Sequence, residues 1–199
     1  MSRSALRLIL LVACAGLATV GRAAPPDGET LAFDPAQSHA EFGVRVMWLI
    51  PVHGRFDTLH GTITVDRFRG SARVEALIDV NDVHMRSRGD EAWVKSAEFF
   101  DVQHFPQIQF VSETFSLERL KKGGEISGLL TIRGITQAAR FEIDASHCPE
   151  AVARDCAAEA AGMIRRSDFG MRSHRGALSD KVDLSFSIHV LTPTTSAAP

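Results

Sequence analysis

The 199-residue chain contains eight histidines, and two of them, His53 and His60, flank Asp57. A carboxylate between two imidazoles has the residue types to bind a metal ion or relay a proton. His53, Asp57 and His60 are therefore the candidates for a hydrolase or a metal-dependent enzyme. No HExxH run and no paired-cysteine spacing accompanies them. Ser96 and His104 have the types of a nucleophile and its base, but no GxSxG elbow surrounds the serine. Ser96 reads better as the cap of a helical turn over Ala97-Glu98-Phe99, with Glu98 at the positive end of that turn. Arg165-Arg166-Ser167-Asp168 presents guanidinium groups to an anionic head group, although a charged surface turn is the commoner role for such a run. The residues assign no catalytic group, no metal site and no resident cofactor.

The formal charge of −2 and the lack of a basic stripe exclude nucleic acid as a partner. The first residues form a targeting segment. Arg3 and Arg7 precede an apolar run, Leu8–Val20, that is short for a bilayer span, and small residues allow cleavage after Ala23. Residues 1–23 are thus expected to be a signal peptide. Leu11-Val12-Ala13-Cys14 resembles a lipoprotein processing box, but the apolar run continues beyond it, so a form lipid-anchored through Cys14 ranks second. In an oxidising compartment Cys148 and Cys156 are expected to pair, closing a loop worth roughly 2–3 kcal/mol. Two free thiols are the alternative.

These residues must be held by a β-protein. Residues 24–32 are expected to form a disordered, Pro/Gly-rich lead-in, 33–191 a single β-barrel domain, and 192–199 a flexible, low-complexity tail. Ala40, Phe42, Val44, Val46 and Trp48 alternate with more polar neighbours, as do Ala72, Val74, Ala76, Ile78 and Val80. Ile126, Gly128, Leu130 and Ile132 form another inward set, followed by Ala139, Phe141 and Ile143. The last strand alternates strictly through Val182, Leu184, Phe186, Ile188 and Val190. Between Phe56 and Leu59 the apolar parity changes, as at a β-bulge. The exception to alternation is Asn81–Phe110, a short aromatic-rich helical insertion in which Trp93, Ala97 and Phe100 share a face and Pro106 ends the helix.

About eight half-buried strands with short connections favour an antiparallel, lipocalin-like barrel over an open sheet, because closure removes exposed edges. A barrel of that size is either filled by side chains or holds one small ligand. The inward sets include Ala40, Gly61, Ala72, Ala76, Gly128 and Ala139, which fit a hollow and fit tight strand packing equally well. The hollow reading gives a dry apolar cavity lined by Phe42, Val44, Trp48, Phe56, Val74 and Ile78. Trp93, Phe110, Leu130, Phe141, Leu184, Phe186 and Ile188 complete the expected lining. Burial of roughly 0.8 kcal/mol per methylene makes a hydrocarbon chain the natural guest.

Several runs are similar to motifs of the YceI-like family: Ser38-His39-Ala40-Glu41-Phe42, Val52-His53-Gly54-Arg55-Phe56, and Ser96-Ala97-Glu98-Phe99-Phe100-Asp101-Val102. Phe105-Pro106-Gln107-Ile108, Gly128-Leu129-Leu130-Thr131-Ile132-Arg133-Gly134 and Arg166-Ser167-Asp168-Phe169-Gly170-Met171 extend the resemblance. It implies a non-catalytic periplasmic barrel binding an isoprenoid chain such as a polyprenyl lipid or a ubiquinone tail, with fatty-acid-like amphiphiles as alternative guests. It also implies transient contact with the membrane or a quinone-using membrane protein, and it admits a homodimer. Trp93, where the family commonly has His, and the Cys148–Cys156 loop depart from the pattern.

Overall fold

The computed structural model describes residues 28–145 and 157–191. The expected signal peptide, the tail, Cys14 and the Cys148–Cys156 pair lie outside the described residues. The first six strands are β1 (Glu29–Ala32), β2 (His39–Val46), β3 (Ile50–Phe56), β4 (Leu59–Asp66), β5 (Ser71–Asp79) and β6 (Val83–Met85). Helix α1 (Arg88–Lys95) precedes β7 (Gln107–Ser112), the two-residue β8 (Phe115–Ser116) and the one-turn helix α2 (Arg119–Lys122). The chain ends with β9 (Gly124–Ile132), β10 (Ile135–Ile143), β11 (Ala158–Arg165) and β12 (Leu178–Ile188).

The strands pair antiparallel in one curled sheet, in the order β1-β4-β5-β7-β9-β10-β11-β12-β2-β3-β6, with β8 also on β5. Just past β1, Phe33 bridges Val190 beyond β12, and Asp34 N–H donates to the His189 carbonyl at 2.7 Å, so the curl closes on itself. The architecture is the antiparallel barrel expected. The strand count exceeds about eight because β1, β6 and β8 are short additions. Strand β1 makes residues 29–32 of the expected disordered lead-in an ordered strand, held by pairing with β4 and by burial of Leu31. The parity change after Phe56 is not a bulge. Asp57 and Thr58 separate β3 from β4, which lie in different parts of the sheet order.

The insertion is helical at its start, with different caps from those expected. Ser87 is the N-cap of α1, its Oγ accepting from Asp90 N–H, and Ser96 is the C-cap. Asp90 and Glu91 in the first turn and Lys95 in the last complement the helix dipole. Residues 96–105 follow as consecutive turns that bury Phe99, Phe100 and Val102. Trp93, Ala97 and Phe100 therefore do not share a continuous helix. The Ser96 hydroxyl is buried without a hydrogen-bond partner, so it serves neither as an N-cap nor as a nucleophile beside His104, which pairs with Asp101.

Candidate functional site

An apolar cavity of about 340 Å³ occupies part of the barrel interior. This is within the roughly 300–1,000 Å³ typical of small-ligand sites. Strands β2 and β12 supply Phe42, Val44, Leu184 and Phe186 to its wall. Phe56, Ile78, Phe110 and Leu130 contribute from β3, β5, β7 and β9. The insertion covers it with Trp93, Val94, Phe99 and Phe100. Trp93 both borders the cavity and is 41% exposed, so the wall reaches the molecular surface beneath α1. Glu41, Asp90 and Arg166 are the charged residues on the wall.

Four of the expected lining residues are elsewhere. Trp48 is 62% exposed, because β2 ends at Val46 and the chain turns outward through Met47 and Trp48 at φ 48° and 64°. Val74 and Phe141 are buried in the packed core, and Ile188 packs against that core from the far end of β12. Phe141 makes edge contacts with Phe110 and Phe186, their centroids 5.0 and 5.1 Å away, and so supports the wall from behind. Val46, Ile132 and Val182, placed in the inward sets but not in the expected lining, also border the cavity. Sequence reasoning missed Phe99 and Phe100, whose place depends on the turns after α1.

The small inward residues divide between two roles. Ala40 and Ala76 border the hollow. Gly61 and Gly128 do not create space; they are seats for rings. A Cβ on Gly61 would stand 2.5 Å from the Phe33 ring, and one on Gly128 would stand 2.7 Å from Phe110. Ala72 and Ala139 are buried outside the wall.

The two arginines proposed for a head group also separate. Arg165 is exposed and its guanidinium lies 4.0 Å from Asp180. Arg166 is 3% exposed and donates to the carbonyls of Ser179, Met171, Ser173 and Leu178 at 2.7–3.3 Å. Those bonds fold residues 171–179 around one cation. Burial pulls the Arg166 guanidinium below its usual value, against the opposing influence of Asp180. Its donors being engaged by backbone, Arg166 acts as the organiser of the loop at the cavity wall.

That loop meets α1 through one carboxylate. Glu98 Oε2 lies 2.9 Å from His174 Nε2 and accepts from Trp93 Nε1 at 3.3 Å. His174 and Trp93 hold the Glu98 carboxyl below its ordinary value. The Trp93 ring stands 4.6 Å from Phe99 and 5.2 Å from His174, centroid to centroid. The contact latches the helical cover to the loop beside the cavity.

His53 and His60 are exposed on the outer face of β3 and β4, and neither they nor Asp57 borders the cavity. Asp57 pairs instead with Arg55 at 2.7 Å and His84 at 3.4 Å. No group of three or more potential ligands for a metal ion occurs among the described residues.

The model of the YceI-like domain matches residues 31–190. The chain belongs to the YceI-like domain family. A UPF0312 protein of Enterobacter sp. (strain 638) is 31% identical over 184 residues, covering 86% of this chain and 90% of that one. Protein YceI of Salmonella arizonae is 31% identical over 166 residues, covering 78% and 83% of the two chains. Among solved structures, BcnA of Burkholderia cenocepacia superposes with a TM-score of 0.63 at 20% identity, over 80% of this chain and 99% of that one. A polyisoprenoid binding domain from Saccharophagus degradans, described as implicated in plant cell wall breakdown, has a TM-score of 0.59 at 16% identity and covers 82% and 98%. At these identities the two structures support the fold alone. The family and the cavity both fit lipid binding.

Proposed function

We propose that this chain is a non-catalytic periplasmic carrier that holds one long apolar chain, of isoprenoid type, in its barrel. The observation that carries the reading is the cavity: Phe, Val, Leu and Ile side chains enclose it from seven strands, and it reaches the surface beside Trp93. Such a wall offers no hydrogen-bonding substitute for water, so a guest is held by removal of its hydrocarbon surface from solvent. The Saccharophagus degradans domain supports an isoprenoid as the class of guest. The modest volume favours a single chain, threaded or partly enclosed, over a two-tailed phospholipid. Residues 1–23 direct the chain to the periplasm, where it transports, stores or sequesters the lipid.

The test is organic extraction of the full chain purified from its own host, followed by mass spectrometry. A stoichiometric prenyl lipid or prenyl quinone is expected. A protein that is consistently empty and also refuses added prenyl quinones would remove the reading, while recovery of a fatty acid would replace the isoprenoid. Fractionation of the host cells checks the location, with the chain expected in the periplasmic extract.

A further inference from the structure

Four consecutive large apolar residues stand in water at the tip between β2 and β3. Met47, Trp48, Leu49 and Ile50 are 59, 62, 83 and 60% exposed. Single exposed leucines are ordinary, whereas a contiguous apolar patch marks a contact surface. The backbone adds to the oddity. Leu49 N–H donates to the Val46 carbonyl across a turn whose central residues, Met47 and Trp48, both have positive φ, positions that suit Asn and Gly. The strained conformation holds four greasy side chains outward.

The tip is tied to the cavity end of the barrel. Met47 N–H donates to the Ala177 carbonyl at 2.6 Å, which braces the tip against the loop organised by Arg166. At its base, Val46, Val52 and Leu178 border the cavity, and the same loop meets Trp93 through His174. The surroundings are cationic. Arg45, Arg172 and Arg175 are exposed and form no ion pair among the described residues. Of the carboxylates on that side, Glu98 is engaged by His174 and Trp93 and Asp180 by Ser167, while exposed Asp183 on β12 stands opposite Gly43.

We propose that this tip docks the protein on an anionic lipid bilayer, with Trp48, Leu49 and Ile50 in the boundary between head groups and acyl chains and the three arginines facing lipid phosphates. A protruding apolar tip fringed by unpaired cations has the chemistry of a bilayer surface, and tryptophan favours that depth. A flat protein surface would leave the protrusion poorly covered, and a grooved one gives no role to the fringe of arginines. The inference deepens the carrier reading and rests on it: docking here places the cavity next to the membrane, so that a prenyl chain exchanges without crossing bulk water.

The experiment uses the full chain carrying Trp93→Phe, which leaves Trp48 as its sole tryptophan. Vesicles of phosphatidylcholine alone are compared with vesicles also containing phosphatidylglycerol. Trp48 emission is expected to shift to the blue and to be quenched by brominated acyl chains, with binding roughly tenfold or more tighter to the anionic vesicles and weakened by salt. Leu49→Asp with Ile50→Asp is expected to weaken partitioning at least about tenfold with the far-ultraviolet spectrum unchanged. That variant keeps the same N-terminal residues, so its loss is assigned to the tip. Trp48 emission unmoved by either vesicle, equal partitioning of the double variant, or a tip that cross-links only to a protein overturns the proposal. Mass spectrometry of the unsubstituted chain separates the two ideas. A lipid-loaded protein whose Trp48 ignores vesicles removes docking alone, whereas an empty protein that also refuses added prenyl quinones, yet whose Trp48 enters the bilayer, keeps docking and removes the carrier.

Discussion

The two ends of this barrel are built from the same strands and the same kinds of residue, yet one is solid and the other hollow. Toward the β4–β5 turn, Val65, Ala72, Phe115, Leu120, Ile126 and Ile143 are all buried and none borders the cavity. Toward the β2–β3 tip, Ala76, Ile78, Phe110, Leu130 and Leu184 border the space. Ala72 and Ala76 make the contrast on a single strand, four residues apart on one face of β5. Residue type does not decide between hollow and solid; what arrives from other strands does. At Ala72 the partners are Val65 and Phe115, whereas Ala76 borders the void.

Truncation should break this comparison most clearly. Ile126, buried at the solid end, is expected to lose about 3–5 kcal/mol as Ile126→Ala, whereas Leu184→Ala, already beside a void, should lose about 1–2 kcal/mol. Urea titration of both variants reads the difference, and equal losses would mean the cavity end is packed in solution. Next in size is Arg166→Met. It strands the carbonyls of Ser179, Met171, Ser173 and Leu178 that the guanidinium now satisfies, costing about 2–4 kcal/mol and freeing the loop beside the cavity. Denaturation and proteolysis within residues 171–179 check it.

Insertion sharpens the contrast further. Ala72→Leu overpacks the solid end and should destabilise by about 1–3 kcal/mol. Ala76→Leu grows into the hollow and should be neutral or stabilise by about 0.5–1 kcal/mol, while displacing the guest. Thermal melts paired with extraction of bound lipid distinguish the two, and a guest retained in Ala76→Leu would place it elsewhere. The smallest effect is that of the latch. His174 and Trp93 hold the Glu98 carboxyl low, so its contribution is fully present above the ordinary carboxylate range and is lost as pH falls through the depressed folded value. Trp93 emission, read in Trp48→Phe, should change as pH falls through that depressed value, and Glu98→Gln should abolish the change.

Much of the fold was legible because alternation is a local property of extended chain. The inward sets of β2, β5, β9 and β12 follow from period two, and Phe42, Val44, Ile78, Phe110, Leu130, Leu184 and Phe186 do stand on the cavity wall. Trp48 continued the alternation on paper and left it in space, because the strand ends in a turn whose left-handed residues, Met and Trp, carry no turn signature. The helix cap was misplaced for a related reason. Ser87 and Ser96 are both competent, and the choice depends on where α1 meets the sheet and the buried Phe99 and Phe100. Arg165 and Arg166 could not be told apart in sequence, since only the folded loop surrounds one of them with carbonyls.

By itself, then, the sequence determined an antiparallel barrel with one greasy face per strand, because side-chain alternation and the burial of apolar surface are written residue by residue. The tertiary structure alone decided which part of that face encloses a void. A small residue leaves space only where no ring packs over it from another strand; Phe33 fills the place over Gly61, whereas Ala76 borders the void.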